Sequence, residues 1–311
     1  MKVDQSAVNK LLERCPALHG YHLVRELGHG GMGAVYLLKD AVSSPVALKI
    51  MLHAEGADES ARARFVREIN NTTELRHPNV VRILQGGECE RILYYTMEFC
   101  AGGSVASIMK RRGDRLPLPE AGGITLQVLD ALEYAHQAPV HQVQLADGSL
   151  AEARGIVHRD LKPDNIFLAG ADLSGPAKVA DLGLSKAFEL AGLTALTPDR
   201  MVAGTPHFQP RQQVLDFRHA GPEVDIWAAA ASLYNMLTSC VPRNFTPLRN
   251  PFLTVLETVP VPVLKRDPKV PSAVATLLDE ALDDTGDTLR FQSAAAFRAA
   301  LTDALARSGA A

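Results

Sequence analysis

Between Tyr21 and Phe99 short apolar runs rich in β-branched residues alternate with polar breaks: YHLVREL, AVYLLKD, PVALKIML, VVRILQGGE and RILYYTMEF. Runs of this length and composition predict strands. One stretch among them, Ser60 to Leu75, has helical spacing instead, so the region reads as a small antiparallel sheet with a single helix. Past Gly102 and Gly103 the period lengthens, and helices are predicted over Leu118 to His136, Glu223 to Thr238, Ala273 to Leu282 and Ser293 to Ala306. A further short helix is predicted ahead of Pro16. A β-rich part followed by a longer helix-rich part predicts an α+β protein of two lobes with a short connection. No repeat at solenoid spacing is present.

Composition changes this picture little. With 311 residues, 47% hydrophobic and 22% charged, the chain can bury a sizeable core and is ordinary globular material. A formal net charge of −3 argues against a large nucleic-acid footprint, so no nucleic-acid partner is expected. The N-terminus carries Asp4, Lys10, Glu13 and Arg14 where a signal peptide would have an apolar core. The longest apolar run, Ile226 to Val241, is shorter than a membrane span and contains Asn235, which predicts a buried helix and no membrane segment in this chain. Cys15, Cys89, Cys100 and Cys240 form no CxxC pair, which fits free thiols in a reducing, cytoplasmic setting.

Candidate chemistry concentrates in three places. The first is GHGGMGAVY, Gly28 to Tyr36, with four glycines in six residues. Each glycine in a regular element costs roughly 0.5–1 kcal/mol relative to alanine. The plain reading is a hairpin turn. Because the loop joins two strands and does not open a helix, it is not the dinucleotide-binding arrangement. The next strand holds Lys49 in VALK, whose charge would be costly there unless an anion met it; phosphate oxygens and Glu68 of the following helix are the natural partners. The second is IVHRDLKPDNIFL, where His158, Arg159, Asp160, Lys162, Asp164 and Asn165 sit between apolar runs, as in a loop held by flanking core. The third is Asp181 in KVADLGLSK, which by itself would pass as a turn former.

Taken together and in this order, these motifs resemble the eukaryotic-like (Hanks-type) Ser/Thr protein kinase family, and MGAVYL and HPNVVRI look like its bacterial signalling members. HPNVV at His77, DIW at Asp225 and LRFQSAAAF around Arg290 look like further landmarks, and the resemblance covers residues 19–306. It implies a bilobal kinase fold: an N-terminal helical extension (1–18), an N-lobe (19–99), a hinge (98–104), a C-lobe (105–306) and a short tail (307–311). It implies ATP and Mg²⁺, with Mn²⁺ as an alternative, as cofactors. Leu27, Gly28, Gly30 and Gly33 would belong to a glycine hairpin lying over the phosphates. Lys49, fixed by Glu68, would hold the α- and β-phosphates, while Asp181 and Asn165 would hold the metal through oxygen ligands. Asp160 would accept the substrate's hydroxyl proton, and Lys162 would offset charge on the transferred group. Val35 and Ala47 would lie above the adenine and Phe167 below it. Met97 precedes the hinge, the backbone of Glu98 and Cys100 would read the adenine edge, and Ser104 would sit near the ribose. HRDLKPDN resembles the version of this loop directed to Ser and Thr.

Regulation is expected at Arg159, beside the catalytic aspartate, which a phosphate in the 184–212 loop could neutralise. Thr194, Thr197 and Thr205 are the candidate acceptors; Thr205 also matches a position that contacts the catalytic aspartate and lysine, which would make it structural instead.

Three departures from the family pattern stand out. Leu182 replaces the usual phenylalanine after Asp181, at an apolar packing site. In GTPHFQPRQQ the glutamate that closes the activation segment is missing: Gln212, or Arg211 with a deletion, takes its place. Its ion-pair partner would be Arg290, and a neutral hydrogen bond or another acid such as Asp287 could substitute. Finally, residues 137–155 form an insertion whose alternation around Asp147-Gly148 predicts a hairpin, either a partner docking element or a surface excursion. The leading expectation is an active, autophosphorylating Ser/Thr protein kinase acting on protein hydroxyls. The alternative is a kinase-like binding or scaffold module with weak or no catalysis. Phosphotransfer to small molecules is disfavoured by the HRDLKPDN loop.

Overall fold

The computed structural model of the protein describes residues 5–30, 33–41, 44–51, 59–144, 150–171, 175–183, 205–217 and 219–309. Helix α1 (Gln5–Arg14) comes first, followed by β1 (His22–Gly30), β2 (Gly33–Lys39) and β3 (Val46–Met51). Helix α2 (Glu59–Thr73) separates these from β4 (Ile83–Cys89) and β5 (Ile92–Glu98). The five strands pair antiparallel in the order β1-β2-β3-β5-β4.

Strand alternation divides the sheet's apolar residues between two faces. Val46, Leu48 and Ile50 of β3 face one way with Tyr94, covered by Val8 and Leu11 of α1 and by Cys15 and Leu18 just after it. Ala47 and Met51 face the other way with Leu93, Tyr95 and Met97, against Phe65 and Ile69 of α2. Every position of β3 is therefore buried, and that explains why the strand reads as a continuous apolar run interrupted only by Lys49.

A second, three-stranded sheet opens the larger lobe. Its strands are β6 (Gly103–Ser104), β9 (Ile166–Leu168) and β10 (Ala177–Val179), in the order β10-β9-β6. Between them in sequence lie α3 (Val105–Arg111), α4 (Leu118–Gln137), and a separate hairpin of β7 (Pro139–Gln144) and β8 (Leu150–Arg154). The hairpin predicted around Asp147-Gly148 is thus present, though its tip lies outside the described residues, and β7 runs against α2 of the other lobe.

Helices complete the chain: α5 (Arg211–Leu215), α6 (Glu223–Thr238), α7 (Pro251–Glu257), α8 (Val263–Arg266), α9 (Ser272–Leu282) and α10 (Ala294–Arg307). Helix α6 is buried almost all round, with Ile226, Trp227, Leu233 and Tyr234 each at most 1% exposed, so it is the core helix of this lobe. Among the described residues no helix is long and apolar enough to cross a membrane.

Candidate active site

The glycine hairpin is where β1 turns into β2, pairing Gly28 with Val35 and Gly30 with Gly33. Two of its glycines differ in their surroundings. A Cβ on Gly33 would lie 2.1 Å from the Ile50 carbonyl oxygen, so close strand approach requires this glycine. A Cβ on Gly28 would meet nothing within 4 Å, so no packing within the described residues requires this glycine.

Lys49 lies directly across from Val35 on β2 and Tyr95 on β5. It is 7% exposed, and its Nζ donates to Asp181 Oδ2 at 2.5 Å. The expected Lys49–Glu68 pair falls partly outside the described residues: Glu68 belongs to α2, but its side chain is among those not described. The described anion at Lys49 is therefore Asp181. Burial would raise the Asp181 carboxyl, but the Lys49 charge and hydrogen bond, with the Tyr95 hydroxyl, outweigh it and hold the group below the ordinary carboxylate range.

The catalytic-loop candidates are set by contacts on both sides. Asp160 Oδ2 accepts from Lys162 Nζ at 3.0 Å, and Oδ1 accepts from the Thr205 N–H at 2.9 Å. Lys162 also donates to the Thr205 hydroxyl. The expected meeting of Asp160, Lys162 and Thr205 is thus in place. Asn165 Nδ2 donates to the Asp160 carbonyl at 2.8 Å, which fixes the amide with its oxygen on the opposite side. The Asn165 carbonyl in turn accepts from the Ala180 N–H at 2.9 Å, so the Asp160 loop and the Asp181 turn are one hydrogen-bonded unit.

Beneath this unit lies Asp225, in the first turn of α6 and fully buried. Its Oδ2 accepts from the His158 N–H and its Oδ1 from the Arg159 N–H, both at 2.8 Å, and His136 Nε2 lies 2.8 Å from Oδ2. Burial would raise this carboxyl too, yet the hydrogen bond and charge of His136, with the bond from the His158 N–H, hold it low. The His158 ring donates at Nε2 to the Ala180 carbonyl at 3.0 Å and accepts at Nδ1 from the Asp160 N–H at 3.3 Å. Arg159 and Asp181 both have left-handed backbones, with φ of 65° and 55°, conformations that residues with a Cβ adopt where the surroundings compel them. The Arg159 guanidinium donates to the Ala220 carbonyl and lies 5.7 Å from the Phe217 ring. Thr194 and Thr197 lie outside the described residues.

The apolar positions expected to hold the base come together: Ala47, Met97 and Cys100 are buried in one cluster, with Leu27, Val35 and Phe167 packed against it. Burial, and then the charge of Glu98, push the Cys100 thiol up to about 12, so it is a packing group and not a nucleophile. Ser104 accepts from the Ser107 N–H and caps α3. Leu182 is 2% exposed in the large-lobe core, as an apolar packing site should be.

The closing of the activation segment corrects one expectation. Arg290 is exposed, lying 3.9 Å from Glu280 and 5.9 Å from the Phe291 ring. The buried arginine is Arg243, and its acid is Asp284, neither Asp287 nor a residue of the segment itself. Asp284 Oδ2 also accepts from the Arg211 N–H at 2.7 Å, and Gln212 Nε2 donates to the Gly286 carbonyl at 2.7 Å. A neutral side chain at Gln212 thus suffices, because the acid comes from the loop after α9.

Two positioning groups escaped sequence reasoning. Gln213 Nε2 donates to the Arg159 carbonyl at 2.6 Å, and Tyr95 Oη donates to Asp181 Oδ1 at 2.6 Å. Alternation alone places Tyr95 on the inner face with Leu93 and Met97, which was the available signal.

Among the described residues no three His, Cys, Asp or Glu side chains cluster to hold a metal by themselves. Asp181 and Asn165 are nevertheless the right donors for a hard cation that keeps several waters and shares phosphate oxygens.

A protein kinase domain model matches residues 21–283. The chain is 33% identical over 229 residues to the serine/threonine-protein kinase PknF of Mycobacterium tuberculosis, covering 72% of this chain and 44% of that protein. To Pkn1 of Myxococcus xanthus it is 33% identical, with 92% and 38% covered, and to PrkC of Bacillus subtilis 30% identical, with 83% and 36% covered. It thus matches about two-fifths of the length of these curated relatives. The crystal structure of the Mycobacterium tuberculosis PknI kinase domain superposes with a TM-score of 0.65 at 26% identity, covering 92% of this chain and 96% of that one.

Proposed function

The chain belongs to the protein kinase domain family, and from that premise we propose that it transfers the γ-phosphoryl group of ATP to serine and threonine hydroxyls of proteins. The family uses ATP with a divalent metal; Mg²⁺ is the ion we assign here, on Asp181 and Asn165, with Mn²⁺ able to replace it. When bound, the metal nucleotide supplies the phosphoryl group and charge neutralisation.

The observation that carries the reading is the Asp160 carboxylate, 8% exposed and held between Lys162 and the Thr205 N–H. Each Asp160 oxygen has one of these donors and keeps a further lone pair, so the group can accept the proton of an incoming hydroxyl without leaving its place. Lys162 touches Asp160 and Thr205 together, which puts a positive charge where negative charge gathers in transfer. Lys49 reaches the cleft from β3 and can exchange Asp181 for phosphate oxygens. Phosphate on Thr194 or Thr197 would find Arg159 beside Asp160, and a partner on the 137–155 hairpin would press on α2, the helix that bears Glu68.

The test is incubation of the purified chain with Mg-ATP and a basic peptide containing Ser and Thr, beside Lys49→Met, with mass spectrometry to place the phosphate. Phosphate on peptide hydroxyls and on the 184–212 loop in the wild type alone is the expected result. ATP binding with no phosphate transferred to any hydroxyl would overturn the reading in favour of a binding module.

A further inference from the structure

Tyr95 is fully buried on β5, yet its hydroxyl ends at the Asp181 carboxylate. The two carboxylate oxygens are held by different donors: Oδ1 by Tyr95 at 2.6 Å and Oδ2 by Lys49 at 2.5 Å. Tyr95 and Lys49 face each other on adjacent strands, and the Lys49 ammonium lies 5.7 Å from the Tyr95 ring centroid. The ring is buried in one apolar cluster with Phe65 and Ile69 of α2.

These two donors differ in what they can do once nucleotide arrives. Lys49 is flexible and charged, and phosphate oxygens compete for it. Tyr95 is held in the sheet and neutral, and its hydroxyl donates to Oδ1. A phenylalanine would fill the same apolar site without a hydroxyl to bury, so the oxygen matters through its one partner. An ionised carboxylate oxygen has about two lone-pair sites, so a bond from Tyr95 to Oδ1 still leaves a site open to a cation.

We propose that Tyr95 is a positioning residue for the metal site: its hydroxyl fixes the Asp181 carboxylate in the orientation that a divalent cation requires. The Asp181 backbone is already set by its φ of 55° and by the Ala180 contacts to Asn165 and His158. The hydroxyl sets the remaining freedom, rotation of the carboxylate. Hydrogen-bond partners of metal ligands typically contribute about 10–100-fold to metal affinity. The inference rests on the phosphotransfer reading only in taking Asp181 as a ligand.

The experiment is Mn²⁺ titration of the chain, at saturating ADP, followed by electron paramagnetic resonance, for the wild type, Tyr95→Phe and Asp181→Asn. The expected result is about 10–100-fold weaker Mn²⁺ binding for Tyr95→Phe. Metal-free ADP affinity, measured in chelator, should stay within about two-fold and the melting temperature within a few degrees, because only one oxygen is removed. Unchanged Mn²⁺ affinity in Tyr95→Phe, with affinity lost in Asp181→Asn, overturns the role of Tyr95 and leaves the site reading intact. Tighter Mn²⁺ binding in Tyr95→Phe also overturns it, by showing that the hydroxyl competes with the ion. Unchanged affinity in Asp181→Asn overturns the assignment of the metal ligand and this inference with it.

Discussion

Lys49 and Asp181 meet in the cleft with side chains 9% and 21% exposed, whereas Arg243 and Asp284 meet beneath the activation segment with side chains 1% and 0% exposed. Both are ion pairs joining segments far apart in sequence. In the cleft the proposed function gives each charge another partner: phosphate for Lys49, a cation for Asp181, a hydroxyl proton for Asp160. Under the segment the exchange is closed. Arg243 is occupied by Asp284 and the Thr258 carbonyl and stacks 5.3 Å from Trp227, while Asp284 also receives the Arg211 N–H. On the proposed function, the contrast separates charges that ligands would take up from charges consumed in packing beneath the segment.

The sharpest way to break that contrast is to remove one acid from each side. Asp160→Asn should lower kcat by about 10²–10⁴, the usual contribution of a positioned acid or base. Its unfolding free energy should fall by no more than about 1.5 kcal/mol, since asparagine keeps the shape and an acceptor for the Thr205 N–H and loses only the charge facing Lys162. A large loss of stability in this variant would mean that Asp160 is structural, like Asp284.

Asp284→Ala should do the reverse. Removing one partner of a buried pair leaves the other charge uncompensated and costs about 3–5 kcal/mol, readable by urea unfolding. The double variant Arg243→Met, Asp284→Leu should recover most of that loss, because an apolar pair of similar volume removes the desolvation penalty along with the attraction. A single variant that loses less than about 1 kcal/mol would show that the pair does not anchor the platform.

The same division marks what could be read from the chain. Phosphate chemistry needs particular residues at short spacing, so HRDLKPDN, VALK and the Asp181 turn were visible as motifs, and the strand and helix periods around them predicted both lobes. The helix expected over Glu223 to Thr238 has those bounds. The buried anchor was invisible for a physical reason. A buried pair needs opposite charges in contact, wherever in the chain they come from. Here the acid sits in the loop after α9 and the base beyond α6, so the expectation built on Gln212 and Arg290 looked in the wrong places. Tyr95 was hidden differently: alternation assigns its face but not what its hydroxyl meets 86 residues later. The inserted hairpin was announced by Asp147-Gly148, while its approach to α2 is a matter of tertiary packing alone.

A smaller effect tests whether open and closed also describes the glycine hairpin. Gly33→Ala would force a Cβ to 2.1 Å from the Ile50 carbonyl oxygen, so β2 and β3 must part. Overpacking of that kind costs about 1–3 kcal/mol. Gly28→Ala points into open space and should change stability by no more than about 0.5 kcal/mol. Thermal unfolding of the two variants compares them directly. Equal losses would show that the hairpin is uniformly packed.

The smallest expected effect is at the seam between the two regions. His207 follows Thr205 into the platform, where its ring packs 4.2 Å from the Phe245 ring. Burial, and then the charge of Lys162 in the cleft, lower its pKa from the ordinary value near 6.5. A histidine with a depressed folded pKa binds its proton more readily when unfolded. Its contribution is therefore fully present above about pH 6.5 and is lost as the pH falls from there toward the folded value. His77 shifts in the same direction, chiefly through burial, so the wild type should show a gentle decline in melting temperature from pH 7.5 to 5.5. His207→Gln should flatten part of that decline. Lys162→Met should flatten a smaller part of it, because removing the cleft charge leaves burial acting alone on the ring. If Lys162→Met leaves the slope as it was, the cleft charge does not reach His207, and platform and cleft are electrostatically separate. If His207→Gln leaves it as it was, the ring is no more burdened folded than unfolded, and the seam carries no proton linkage.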